Sequence, residues 1–169
     1  MMARAAAAAA VLAAGAWLSV LAGGQAHAAP GALCQAANGH TKTVVNGDSA
    51  CGAKAGKGST ARAEDTKGEG TAIAVAQSGG HADARTLDRK SAALAGAKHG
   101  GSANSFATGP GAYSVAQADH HGTSVAIGGW GGSAISTTHG VACTGGFAFA
   151  WESTSGRVCV NSGSLGYSN

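Results

Sequence analysis

From Gly70 onward, short runs that alternate small or apolar residues with others recur along the chain, and a glycine or another corner residue opens each run. The openings fall at Gly70, His81, Ser91, Gly101, Gly111, Gly122 and Gly132, in steps of ten or eleven residues. The position after each opening is small: Thr71, Ala82, Ala92, Ser102, Ala112, Thr123 and Ser133. Three places after the opening stands a mostly apolar column, Ile73, Ala84, Leu94, Asn104, Ser114, Val125 and Ile135. Valine, isoleucine and threonine suit strands. A glycine at nearly every tenth position breaks the long helix that alanine alone would favour. A small column reads as a tightly packed wall, and the glycine beside it as a corner. The pattern predicts an all-β chain: a short β-solenoid of ten- to eleven-residue coils, each made of one strand and one corner. Seven such coils, stacked at about 4.8 Å, would form a rod on the order of 35 Å long. A largely disordered chain and a small β-sandwich are the two other readings of the same pattern.

The two ends differ from this middle. Asn38-Gly39 and Asn46-Gly47 are hairpin-turn pairs, and Thr41 to Val45 between them reads as a strand. Near the C-terminus, Phe147-Ala148-Phe149-Ala150-Trp151 alternates aromatic and small residues, which puts Phe147, Phe149 and Trp151 on one face. Ser155-Gly156 turns the chain and Arg157 to Val160 returns. This hairpin is expected to make the largest apolar contribution to stability, because aromatic side chains bury the most area.

Composition adds a compartment. Arg4 precedes an uncharged apolar run from Ala5 to Ala22, followed by a polar stretch ending in Ala26-His27-Ala28. That order is the signature of a secretory signal peptide over residues 1–28. No other run is long and apolar enough to cross a membrane. Four cysteines remain after cleavage, Cys34, Cys51, Cys143 and Cys159. An even number in an exported chain reads as disulfides. Three pairings exist; the spacing favours Cys34–Cys51 and Cys143–Cys159. A zinc site is the competing reading, though zinc ligands usually come in close C-x-x-C pairs. The expected organisation is a disulfide-closed cap over residues 29–57, the repeat over 58–142, and a disulfide-closed hairpin cap over 143–169.

Charge and motifs then narrow the chemistry. Without Arg4, ten of the eleven Lys and Arg residues remain against eight acidic ones, a net charge of +2. That is no nucleic-acid footprint. Gly52-Ala53-Lys54-Ala55-Gly56-Lys57-Gly58-Ser59 imitates a phosphate-binding loop, but its glycine spacing is one residue short and Gly58 separates Lys57 from Ser59. No G-x-S-x-G elbow is present, and the expectation is a non-enzymatic protein without a cofactor. His99 and His120, with His121 and Asp119 beside them, occupy corners that are two ten-residue coils apart. They are the candidate metal ligands, although a separation of about 10 Å would be too large for one ion without His121 or Asp119. Exposed polar corners are the alternative. Trp130, flanked by glycine pairs, is the candidate surface-contact residue, or else a lid over its own corner.

Two resemblances follow from these residues. The glycine- and serine-opened coils of residues 58–142 resemble the head repeats of trimeric autotransporter adhesins, which are β-solenoid rods, although those repeats are longer. The signal peptide, Asn46-Gly47-Asp48-Ser49-Ala50-Cys51-Gly52, Ser124-Val125-Ala126-Ile127-Gly128-Gly129-Trp130-Gly131-Gly132 and Val141-Ala142-Cys143-Thr144-Gly145-Gly146-Phe147 resemble small Gly/Ala-rich secreted proteins of mycobacteria and related actinobacteria. That family is of unknown function, so the resemblance implies a location outside the cell and no catalytic residue. The function expected is surface contact by a secreted or cell-wall-associated protein, with the cell wall or a host surface as partner and self-association through open coil ends. A metal- or small-ligand-binding protein using the corner histidines, and a secreted hydrolase, are the alternatives.

Overall fold

The computed structural model describes residues 31–169; the expected signal peptide, residues 1–28, lies outside the described residues. Every helix or strand among the described residues is a strand. In chain order they are β1 (Leu33–Ala37), β2 (Thr41–Asn46), β3 (Ser49–Ala55), β4 (Thr60–Asp65), β5 (Thr71–Ala76), β6 (His81–Thr86), β7 (Ala92–Ala97), β8 (Ser102–Ala107), β9 (Tyr113–Ala118), β10 (Thr123–Gly129), β11 (Ser133–Thr137), β12 (Gly140–Thr144), β13 (Phe147–Glu152), β14 (Val158–Ser162) and β15 (Leu165–Ser168). They form two facing sheets. One runs β1-β4-β6-β8-β10-β13-β14-β15 and the other β12-β11-β9-β7-β5-β3-β2. From β3 to β11 the chain alternates between them, which makes a β-solenoid of about four turns.

The ten- to eleven-residue unit is half a turn. Thr71 pairs with Ala92, and Ala92 with Tyr113, so one turn takes 21 residues and contains two strands and two corners. The expected coil of one strand is corrected accordingly, and the repeat rises about 20 Å rather than 35 Å at the usual strand spacing. The physical reason is closure. A single strand and one corner cannot bring the chain back over itself, whereas two strands in opposite sheets can.

The register is also shifted at two openings. The strands begin at Thr71, His81, Ala92, Ser102, Tyr113, Thr123 and Ser133, and these first residues face outward. The inward wall one residue later is Ala72, Ala82, Ala93, Ala103, Ser114, Ser124 and Ala134, every one buried. Taking His81 and Gly111 as openings slides two of the runs by one residue, and a one-residue slip exchanges the faces of a strand.

Among the described residues, the buried side chains are those of alanine, serine, threonine and cysteine with two carboxylates, and none is a large apolar one. The interior is thin enough for the sheets to hydrogen-bond across it. Ser105 of β8 donates its hydroxyl to the carbonyl of Ser114 on β9 at 2.9 Å, and Ser124 of β10 donates to the carbonyl of Ser136 on β11 at 3.1 Å. Ser136 donates in turn to the carbonyl of Trp151 at 2.7 Å. Both disulfides bridge the sheets. Cys34–Cys51 joins β1 to β3 with Cα atoms 5.8 Å apart, and Cys143–Cys159 joins β12 to β14 at 5.9 Å. The local pairing favoured by spacing is the one formed, and no cysteine remains for zinc.

The central strands run parallel, while the end strands turn back antiparallel, β2 on β3, β1 on β4, β12 on β11 and β13 on β10. The hairpins turned at Asn46-Gly47 and at Ser155-Gly156 form, pairing β2 with β3 and β13 with β14, whereas Asn38-Gly39 is not a hairpin turn but a corner that carries the chain from β1 in one sheet to β2 in the other. The aromatic residues of the second hairpin do not face inward, however: Ala148, Ala150 and Glu152 are buried, and Phe147, Phe149 and Trp151 look out. The expectation that they dominate internal packing is overturned, because an interior this narrow admits only small side chains.

Candidate functional site

Alternation along a strand sends every second side chain outward, and here the outward set carries the large residues. Strand register aligns them into rows. Across the eight-stranded sheet one row reads Leu33, Glu64, Arg85, Phe106, Ile127, Phe149, Val160 and Tyr167. Its first half is mixed, with Glu64 and Arg85 between Leu33 and Phe106, and it adjoins a polar row that contains Arg62 and Asp83. Arg62 meets Glu64 at 2.7 Å and Arg85 meets Asp83 at 2.8 Å, with Arg85 also 5.9 Å from the centre of the Phe106 ring. The Asp83 hydrogen bond raises the Arg85 pKa against the opposing effect of burial. A groove of about 530 Å³ opens beside this polar row, walled by Arg62, His81, Asp83, Ser102 and Asn104 among others.

The second half of the row that begins at Leu33 is uncharged and apolar. Trp151 stands opposite Val125 and Val158 in the adjoining row, and Tyr167, on the last strand, is 60% exposed. The seven-stranded sheet carries a similar aliphatic row, Ile73, Leu94, Val115 and Ile135.

The two buried carboxylates are internal clamps. Asp65 accepts from the hydroxyls of Ser49 and Thr86 and from the backbone N–H of Gly70. Glu152 accepts from the backbone N–H groups of Thr154 and Ser155 and from the Ser155 hydroxyl. Burial pushes the Glu152 carboxyl up, but the Ser155 and Thr154 donors outweigh it and hold the pKa down at about 2. Neither carboxylate faces an open cavity.

The corners hold the remaining chemistry. Of the six histidines among the described residues, His81, His99, His120 and His121 lie where the chain leaves the seven-stranded sheet for the other, while His40 lies in the β1–β2 connection and His139 in the β11–β12 turn. His99 and His120 are 21 residues apart, one turn rather than two, so their rings stack with centroids 5.1 Å apart. The expected separation of about 10 Å is thus halved. Asp119 reaches back from the later corner. Its Oδ1 lies 2.6 Å from His99 Nδ1 and 3.3 Å from His120 Nδ1, and it also accepts from the His120 N–H. The His99 hydrogen bond leads in lowering the Asp119 pKa. His121 points elsewhere: its ring lies over Gly100, where a Cβ would come 2.6 Å from His121 Cδ2. Three of the four candidate ligands are therefore together and one is apart.

On the opposite edge, Trp130 is 70% exposed and does not cover its corner. Its φ of 46° is left-handed, and Gly109 of the preceding turn packs directly on its backbone. Sequence reasoning missed Tyr167 and the outward aromatic row. The cue was the strict alternation of Phe147, Phe149 and Trp151 with residues too small to be the exposed face of an ordinary core.

A family model described as a family of unknown function, DUF6764, matches residues 1–162. The chain belongs to DUF6764. No curated protein and no solved structure matches it. The two disulfides of this DUF6764 chain indicate an oxidising, extracellular environment.

Proposed function

We propose that this chain is a secreted, non-enzymatic protein that acts by surface contact, with the apolar half of the eight-stranded sheet as its contact face and cell-wall material as its partner. The observation that carries this reading is the inverted distribution of size. The interior is built from small residues, and the outward face carries exposed Trp151 and Tyr167 with half-buried Phe147, Phe149 and Val160 beside them. Exposed apolar patches of this kind mark interaction sites, and Trp and Tyr are the residues that most often anchor them. A rigid sheet holds the side chains flat and ordered before binding, so little entropy is lost on contact. The signal peptide expected over residues 1–28 and the likeness of residues 58–142 to adhesin head repeats support the same reading.

Co-sedimentation with insoluble cell-wall material tests it. Residues 29–169 should be retained, and the Trp151→Ser, Tyr167→Ser double variant should be released while melting like the parent. Equal retention of both proteins, or none of the parent, would remove the proposal.

A further inference from the structure

We infer that the corner formed by His99, Asp119 and His120 is a binding site for a divalent late first-row cation, Zn²⁺ or Cu²⁺. This goes beyond the contact function and does not depend on it. Each residue offers one ligand atom, and the three atoms lie within 4.8 Å of one another. Ligands about 2.1 Å from a tetrahedral ion stand about 3.4 Å apart. The Asp119 Oδ1 to His120 Nδ1 distance, 3.3 Å, already has that value. The Oδ1 to His99 Nδ1 distance, 2.6 Å, is a hydrogen bond that opens by under an ångström when an ion replaces the shared proton. Each imidazole then carries its remaining proton on Nε2. Two imidazoles and one carboxylate select Zn²⁺ or Cu²⁺ over Ca²⁺ or Mg²⁺, which prefer oxygen.

The corner geometry places the imidazoles. The equivalent corner of the preceding turn is Ser78-Gly79, whereas these use His99-Gly100 and His120-His121. Ser78, His99 and His120 share a left-handed backbone, with φ of 51°, 44° and 47°, so the conformation belongs to the stacked corners and the histidines are what distinguishes the later ones. Equivalent corner residues repeat at the strand spacing, which sets the two rings one above the other. His99 and His120 are 56% and 81% exposed, so an ion would keep open positions toward solvent.

The test is titration of residues 29–169 with Zn²⁺ by calorimetry and with Cu²⁺ by electron paramagnetic resonance. One ion per chain is expected, with coupling of Cu²⁺ to two imidazole nitrogens. His99→Asn and His120→Asn keep a residue that tolerates left-handed backbone, and each should weaken binding about tenfold or more, as should Asp119→Asn. His121→Gly and His139→Asn should bind as the parent does. Thermal melts establish that each variant is folded. No saturable binding, binding unchanged in folded His99→Asn and His120→Asn, or an equal loss in His139→Asn would overturn the site.

Discussion

Placing a large side chain inside this solenoid should be far more damaging than removing one from outside it. Ala84 lies in the middle of β6, fully buried, with Ala63 and Ser105 beside it on the adjacent strands. Ala84→Leu adds three carbon atoms to a gap in which serine hydroxyls already touch the opposite backbone at 2.9 Å. Overpacking an ordinary core costs about 1–3 kcal/mol. The upper end applies here, because disulfides across both ends of the interior keep the sheets from separating. For a domain of this size, about 3 kcal/mol lowers Tm by about 10 °C. Phe149→Ser is the matched control. In an ordinary hairpin core the loss of a phenylalanine costs about 3–5 kcal/mol, whereas on the outer face it should cost under about 1 kcal/mol, or some 3 °C. Thermal denaturation followed by far-UV circular dichroism measures both. If Ala84→Leu melts within about 2 °C of the parent, or Phe149→Ser falls further than Ala84→Leu, the reasoning about the thin interior fails.

Reduction of the two disulfides, which close spans of 17 and 16 residues, should remove about 3 kcal/mol each and lower Tm by about 15 °C or more; an unchanged melt in reductant would show that the ends hold without them. Glu152 sets an acid limit. Its pKa is lowered to about 2 from an ordinary 4.5, so its contribution is complete above pH 4.5 and is lost as pH falls from there toward 2. The linkage amounts to about 3 kcal/mol. A pH series of melts should show that loss in the parent and a flatter acid limb in Glu152→Gln, and identical limbs would exclude Glu152 as the cause.

Much of the fold was legible in the sequence: strands in place of helices, the ten-residue unit, the hairpins at Asn46-Gly47 and Ser155-Gly156 and the pairing of the cysteines. What could not be read has one physical origin. Hydrophobic periodicity ordinarily marks the inside of a protein by its larger apolar residues, and here the sign is reversed. Ala72, Ala82 and Ala93 form the wall, while Ile73 and Leu94 point outward. Small residues also occupy many outward positions, so neither the register at His81 nor the facing of Phe149 could be fixed without knowing the width of the interior. The same ambiguity hid the second strand of each turn. His99 and His120 were visible as equivalent corners, but their contact depended on 21 residues making one turn rather than two. Asp119 could then reach both.

The central claim is that residues 31–169 fold cooperatively with Trp130 and Trp151 on the outside. Acrylamide quenching of residues 29–169 addresses it directly, since Trp130 and Trp151 are the tryptophans left once Trp17 is removed. Native protein that melts cooperatively should be quenched at least half as steeply as the same protein in denaturant. A native slope several-fold shallower would place these side chains in a conventional core and contradict the inverted architecture.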